Sequence, residues 1–213
     1  MSGAATAWGE ALRVAIEVLA TAAFALSGVL EGMRKRLDAV GLSVVAALAA
    51  FGGGTLRDVL LDRRPFFWVE HAVLLWGVLG LALLVPLALR ARHLRLTERA
   101  IAVPDALGLG LFAGSGAHLA LVAGLPMLPA VLMGVITGVF GGVLRDIVCN
   151  EIPAVLRDRR PYAVCAFAGG WVTVALWQSG APDWLALLAC VLVTAGLRGL
   201  ALWRGWRLPA WRG

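Results

Sequence analysis

Four charged residues occupy places where an apolar chain has least use for charge. Arg57 and Asp58 close the run Gly52-Gly53-Gly54-Thr55-Leu56-Arg57-Asp58. Arg145 and Asp146 close Thr137-Gly138-Val139-Phe140-Gly141-Gly142-Val143-Leu144-Arg145-Asp146. Two further apolar stretches carry an acid deep inside them, Glu17 and Asp105. An ionised side chain in hydrocarbon is expensive, so such residues face protein or water and mark the routes of ions, protons or solutes by default. The chemistry these residues suit is passage and charge compensation. No nucleophile with a base, no phosphate-cradling loop after a strand and no pair of hydrolytic carboxylates accompanies them, so an enzyme is not expected. His118 has no histidine or cysteine near it at ligand spacing, and neither a metal nor a cofactor is expected.

The glycines beside the arginines admit two readings. Consecutive glycines cost a helix about 1 kcal/mol each relative to alanine in water. In lipid they allow a break only where other groups satisfy the freed backbone. A break at Gly52, Gly53 and Gly54, and at Gly138, Gly141 and Gly142, would present carbonyls to a cation and amides to an anion. The alternative is close helix packing through small residues, which the spacing of Gly134, Gly138 and Gly142 fits. The recurrence of the run in both halves of the chain favours the kink.

Neighbouring residues on a helix do not face each other, so neither Asp58 nor Asp146 is expected to partner the arginine beside it. Depth in the membrane pairs Glu17 with Arg57 and Asp105 with Arg145 instead. These pairs either brace the bundle or line a path, and one pair can do both. Ser27, Ser115, Thr55 and Thr137 either extend a polar lining or bond their own helix backbones.

The elements that must position these residues follow from composition. Of 213 residues, 61% are hydrophobic and 15% charged, and the charges are confined largely to gaps between apolar stretches. Runs of about 20 apolar residues are long enough to cross a hydrocarbon core of about 30 Å. Seven such spans are expected, near 12–32, 41–61, 70–89, 101–122, 128–149, 162–178 and 184–203. They read as helices because they lack the alternation of barrel strands. The net charge of +6 rests almost wholly on arginines in short loops, which points to topology and lipid headgroups as partners, not to nucleic acid. The loops after the first, third and fifth spans and the C-terminal tail hold Arg34, Lys35, Arg36, Arg90, Arg92, Arg95, Arg99, Arg157, Arg159, Arg160, Arg204, Arg207 and Arg212; the other side holds Arg13, Arg63 and Arg64. The positive-inside rule then sets the N-terminus outside and the C-terminus in the cytoplasm of a multi-pass protein of the cell membrane. No cleavable leader is evident. Cys149, Cys165 and Cys190 are isolated and read as buried thiols, not a disulfide framework.

A shift of 88 residues carries Glu17 onto Asp105, Phe24 onto Phe112, Ser27 onto Ser115, Gly53-Gly54 onto Gly141-Gly142, Arg57-Asp58 onto Arg145-Asp146 and Pro65 onto Pro153. The chain is thus one transmembrane domain of two repeats, about 12–90 and 101–178, with an extra helix at about 184–203. Three spans per repeat make the second copy enter from the opposite side. The repeats are therefore expected to be inverted about a pseudo-two-fold axis in the membrane plane, a design common among transport proteins. The fold class is all-α.

The doubled pattern, with Gly53-Gly54-Thr55-Leu56-Arg57-Asp58 in the second span and Gly141-Gly142-Val143-Leu144-Arg145-Asp146 in the fifth, resembles the trimeric intracellular cation channel (TRIC) family in its prokaryotic branch. The likeness runs over nearly the whole chain. It implies a homotrimer with a pore inside each protomer, glycine-kinked second and fifth helices, and conduction of K⁺ and Na⁺. Arg57 and Arg145 would set the field or gate, with Asp58, Asp146 and the hydroxyls offsetting their charge toward cations, and Glu17 and Asp105 among the same pore charges. One departure is the second glycine run, where Phe140 stands opposite Gly52. A secondary transporter of a small neutral solute, such as an amino acid, suits inverted repeats with broken helices equally well.

Overall fold

The computed structural model describes residues 2–91, 98–157, 159 and 161–209. The helices are α1 (Ser2–Arg34), α2 (Ala39–Leu60), α3 (Phe67–Glu70), α4 (Val73–Ala91), α5 (Glu98–Val122), α6 (Met127–Val148), α7 (Ala154–Arg157), α8 (Ala163–Gln178) and α9 (Asp183–Arg204). Among the described residues the secondary structure is helical throughout, with no strand. Five helical segments are long and apolar enough to span a bilayer: Val14–Arg34, Ala39–Leu60, Ala100–Val122, Met127–Val148 and Asp183–Arg204. The third and sixth expected spans are the shorter apolar helices Val73–Leu89 and Ala163–Gln178, each preceded by a four-residue helix, α3 or α7. This is an α-helical, multi-pass membrane protein. Arg92, Arg95, Arg160 and Arg212 of the orientation count lie outside the described residues.

The chain turns at the same places in both halves. After α1, Lys35, Arg36 and Leu37 donate their amides to Glu31, Met33 and Gly32; after α5, Ala123, Gly124 and Leu125 donate to Leu119, Leu121 and Ala120. The residues that reverse the chain, Arg36 (φ 58°) and Gly124 (φ 81°), are both left-handed, where glycine suffers no Cβ penalty. The ends of α2 and α6 repeat the agreement: Arg63 N donates to Asp58 O and Glu151 N to Asp146 O, each at 2.8 Å. Packing follows suit. Helix α1 lies against α2 and α4, as α5 lies against α6 and α8. Helix α9 packs chiefly on α5 and α8, so it belongs to the second half.

At the centre Phe24 and Phe112, which the 88-residue shift makes counterparts, stack on each other with ring centroids 5.7 Å apart and planes 17° apart. Two residues that the shift makes counterparts thus meet between α1 and α5. Both rings are fully buried, joined by Ala20, Ala46, Ala49, Leu109 and Ala113. Cys149, Cys165 and Cys190 are free and buried, as their apolar surroundings imply.

Candidate functional site

Helices α2 and α6 cross through their glycines. A Cβ built on Gly53 would stand 2.0 Å from the Thr137 carbonyl oxygen, and one on Gly141 would stand 2.2 Å from that of Ala49. Contacts that pair 53 with 137 and 49 with 141 run the two helices antiparallel. Gly138 meets the Leu109 carbonyl oxygen at 2.8 Å in the same sense, and Gly52 meets Leu144 Cδ1 at 2.5 Å. The interruption expected at these glycines is absent: α2 is continuous over Ala39–Leu60 and α6 over Met127–Val148. The cost of glycine was reckoned in water. Between helices in lipid its missing Cβ lets backbones approach to Cα–H···O distance, and packing is the driving force there. No carbonyl is freed by a break. The hydroxyls of Thr55 and Thr137 bond back to Phe51 O and Met133 O, each at 2.7 Å, and Trp68 Nε1 donates to Thr55 Oγ1 at 3.0 Å.

A charged cluster sits at either end of the crossing. At the Gly54 end, Arg57 Nη2 lies 3.3 Å from Glu17 Oε1, with both side chains fully buried. At the Gly142 end, Arg145 Nη1 lies 2.5 Å from Asp105 Oδ1. Both depth-based pairings hold. The expectation that the adjacent aspartates stand apart does not. Arg57 Nε donates to Asp58 Oδ1 at 2.8 Å, and Arg145 Nε to Asp146 Oδ1 at 2.8 Å. The facing rule concerns Cβ directions. An arginine's three-methylene stem lets its guanidinium fold back where no water competes for it. The second aspartate oxygen has its own task. Asp58 Oδ2 accepts from Phe67 N at the start of α3, and Asp146 Oδ2 from Ala154 N at the start of α7, both at 2.8 Å. Each aspartate therefore ties an arginine to the next helix start, where a negative charge is favoured.

The serines cross between halves. Arg57 Nη1 donates to Ser115 Oγ at 3.4 Å, while Arg145 Nη1 donates to Ser27 Oγ. Helix α1 thus gives a carboxylate to one cluster and a serine to the other, and α5 does the reverse. Ten residues separate acid from serine on each helix, which sets the clusters about 15 Å apart.

Four contributors were missed from sequence. Phe67 lies against Gly54, 2.3 Å from a Cβ built there, with the Arg57 guanidinium 5.3 Å from its ring centre. Tyr162 Oη lies 3.0 Å from a Cβ on Gly142, and the Arg198 guanidinium stands 4.8 Å from the Tyr162 ring centre. Arg63 Nη1 approaches Asp58 Oδ1 at 3.6 Å. Only the aromatic character of Phe67 and Tyr162, beside Pro65 and Pro161, offered a signal. His118 stands apart from both clusters, with Nε2 3.8 Å from Asp183 Oδ2.

A sequence model of the family described as "Glycine transporter" matches residues 14–90 and again 102–178, two stretches offset by the same 88 residues. The UPF0126 membrane protein of Vibrio cholerae serotype O1 is 39% identical over 193 residues, 91% of this chain and 80% of that one. The UPF0126 inner membrane protein YadS of Escherichia coli K12 is 37% identical over 195 residues, 91% and 93% of the two chains. Among solved structures, the TRIC trimeric intracellular cation channel orthologue from Rhodobacter sphaeroides superposes with a TM-score of 0.84 at 36% identity, covering 92% of this chain and 99% of that one. A prokaryotic TRIC channel crystallised in 0.5 M KCl gives a TM-score of 0.85 at 29% identity, covering 93% and 100%.

Proposed function

This chain belongs to the prokaryotic branch of the trimeric intracellular cation channel family, and from that premise we propose that it is a K⁺/Na⁺ channel with a path in each protomer between α2 and α6. The observation that carries the reading is the antiparallel glycine crossing with a compensated arginine at either end, on a backbone that matches channels so named at TM-scores of 0.84 and 0.85. The three-helix units are inverted copies across the membrane, the third and sixth spans being the short helices α4 and α8. The protein assembles as a homotrimer in the cell inner membrane among lipids, with its N-terminus outside and its C-terminus in the cytoplasm.

The arrangement described above is a closed one. Arg57 is fully buried and Arg145 is 5% exposed, each held by two carboxylates and a serine. Conduction requires the guanidinium groups to withdraw and leave the acids facing the path. Once the guanidinium groups withdraw, Glu17 and Asp58 at one end and Asp105 and Asp146 at the other face the path, and carboxylates there favour cations. Gly52 to Gly54 and Gly141 to Gly142 are where α2 and α6 bend when it opens.

A second reading has one observation behind it. The family model carries the description "Glycine transporter", which favours carriage of a small neutral amino acid. Purified protein in planar bilayers under symmetric KCl separates the two. Unitary currents altered by Arg57 and Arg145 substitutions are expected. Saturable, coupled solute uptake into proteoliposomes, with no unitary events, would replace the channel by a carrier.

A further inference from the structure

Gly54 and Gly142 are counterparts under the 88-residue shift, and each is covered by a buried aromatic ring. Phe67 is 1% exposed and Tyr162 3%. The rings themselves are not counterparts: Phe67 shifts onto Val155, and Tyr162 corresponds to Leu74. Two unrelated positions therefore converge on related glycines, a convergence that duplication alone does not produce. Each ring also carries a guanidinium, from different sources. Phe67 has Arg57, the arginine of its own cluster. Tyr162 has Arg198 from α9, the helix outside the repeat.

Arg198 is 6% exposed and its Nη1 donates to the Pro161 carbonyl oxygen at 3.0 Å, which fixes the residue before Tyr162. A guanidinium over a desolvated ring adds a cation–π attraction. Arg198 Nε is buried without a hydrogen bond, and Tyr162 Oη is buried beside the Asp105 carboxylate. The point that a Cβ on Gly142 would occupy lies 3.0 Å from Tyr162 Oη, 3.6 Å from Asp105 Oδ1 and 3.8 Å from Arg145 Nη2. The hydroxyl is thus held beside the carboxylate and guanidinium of the Arg145 cluster, so a swing of the ring changes the surroundings of both.

We propose that Tyr162 is the gate residue at the Gly142 end of the α2–α6 path, and that Arg198 is the positioning residue that latches it there. The proposal rests on the channel reading above. Phe67 closes the Gly54 end and is held by Arg57 itself, so the two ends answer to different cations. The added helix α9 thereby controls one end alone.

The chain contains a single tyrosine, so 3-fluorotyrosine places one ¹⁹F reporter on the gate. In lipid nanodiscs Arg198→Gln is expected to shift or split that resonance, Arg198→Lys to restore it, and Arg204→Gln, on the same helix, to leave it in place. In planar bilayers Arg198→Gln and Tyr162→Ala are each expected to raise the open-to-closed ratio about tenfold, the scale of one lost charged contact. The double variant is expected to match either single one, because a latch without its gate has nothing to hold. If Arg198→Gln does not fold, Arg198→Met, which keeps the apolar stem and removes the charge, made with and without Tyr162→Ala reads the same coupling. Additive effects, or an unmoved ¹⁹F signal, overturn the latch. A wild type without unitary current overturns the channel reading, and the gate with it; a conducting wild type that Arg198→Gln leaves unchanged overturns the latch alone.

Discussion

At the Gly54 end, Arg57, Glu17 and Asp58 are sealed, at 0%, 0% and 1% exposure; at the Gly142 end, Arg145, Asp105 and Asp146 stand at 5%, 4% and 7%. Both clusters keep the same bonds: arginine to the acid of the long helix, arginine to the next aspartate, aspartate to the following helix start, arginine to a serine of the other half. They part where a second cation comes in. Arg63 reaches Asp58 from the turn after α2, yet its counterpart, Glu151, pairs with Lys35 and lies 4.0 Å from Arg34. Arg198 stands near the second cluster instead. What both halves retain is the compensation of a buried arginine; what differs is where the second cation stands.

The harshest test of that comparison removes the arginines. Arg57→Gln leaves Glu17 and Asp58 buried without the guanidinium they share, and stripping one partner from a buried pair costs about 3–5 kcal/mol. Arg145→Gln is expected to cost less, since its acids have more access to water. Unfolding midpoints in detergent measure both; an equal loss would erase the distinction between the ends. Glu17→Gln combined with Arg57→Gln is expected to recover part of the loss, which a double-mutant cycle reads as coupling.

Next come the glycines of the crossing, where the halves are expected to agree. A methyl group on Gly53 or Gly141 meets a backbone carbonyl at 2.0 or 2.2 Å, and neither carbonyl can rotate aside. Each alanine substitution is expected to cost about 1–3 kcal/mol, the usual range for overpacking. Near-equal losses in the same unfolding assay support a two-fold crossing. A loss at one glycine alone would mean that the helices do not meet symmetrically.

Much of this was legible in the sequence, for a definable reason. The repeat, the helical class and the pairs Glu17–Arg57 and Asp105–Arg145 follow from charges in apolar runs, because depth along a span is simple arithmetic in residue number. What was illegible depends on reach and approach. The bonds from Arg57 to Asp58 and from Arg145 to Asp146 depend on side-chain length, not helical phase. The role of Gly53 and Gly141 depends on a partner helix that one span's sequence does not contain. Phe67 lies between the second and third spans and Tyr162 at the very start of the sixth, where an aromatic residue also reads as an interfacial anchor.

The smallest expected effect is also the most discriminating. Ser27 accepts a short hydrogen bond from Arg145 Nη1, whereas Ser115 lies 3.4 Å from Arg57 Nη1. Removing the acceptor of a charged donor costs more when the bond is well made, and a contact at 3.4 Å is near the limit of one. Ser27→Ala is therefore expected to cost about 1 kcal/mol and Ser115→Ala about half of that. The order matters more than the size. Arg57 is held by a fully buried Glu17 and needs its serine little; Arg145, with its more accessible acids, leans on the serine from the other half. If Ser115→Ala proves the costlier change in the unfolding assay, the Gly54 end is the one that depends on its neighbour, and the ranking of the two ends must be reversed.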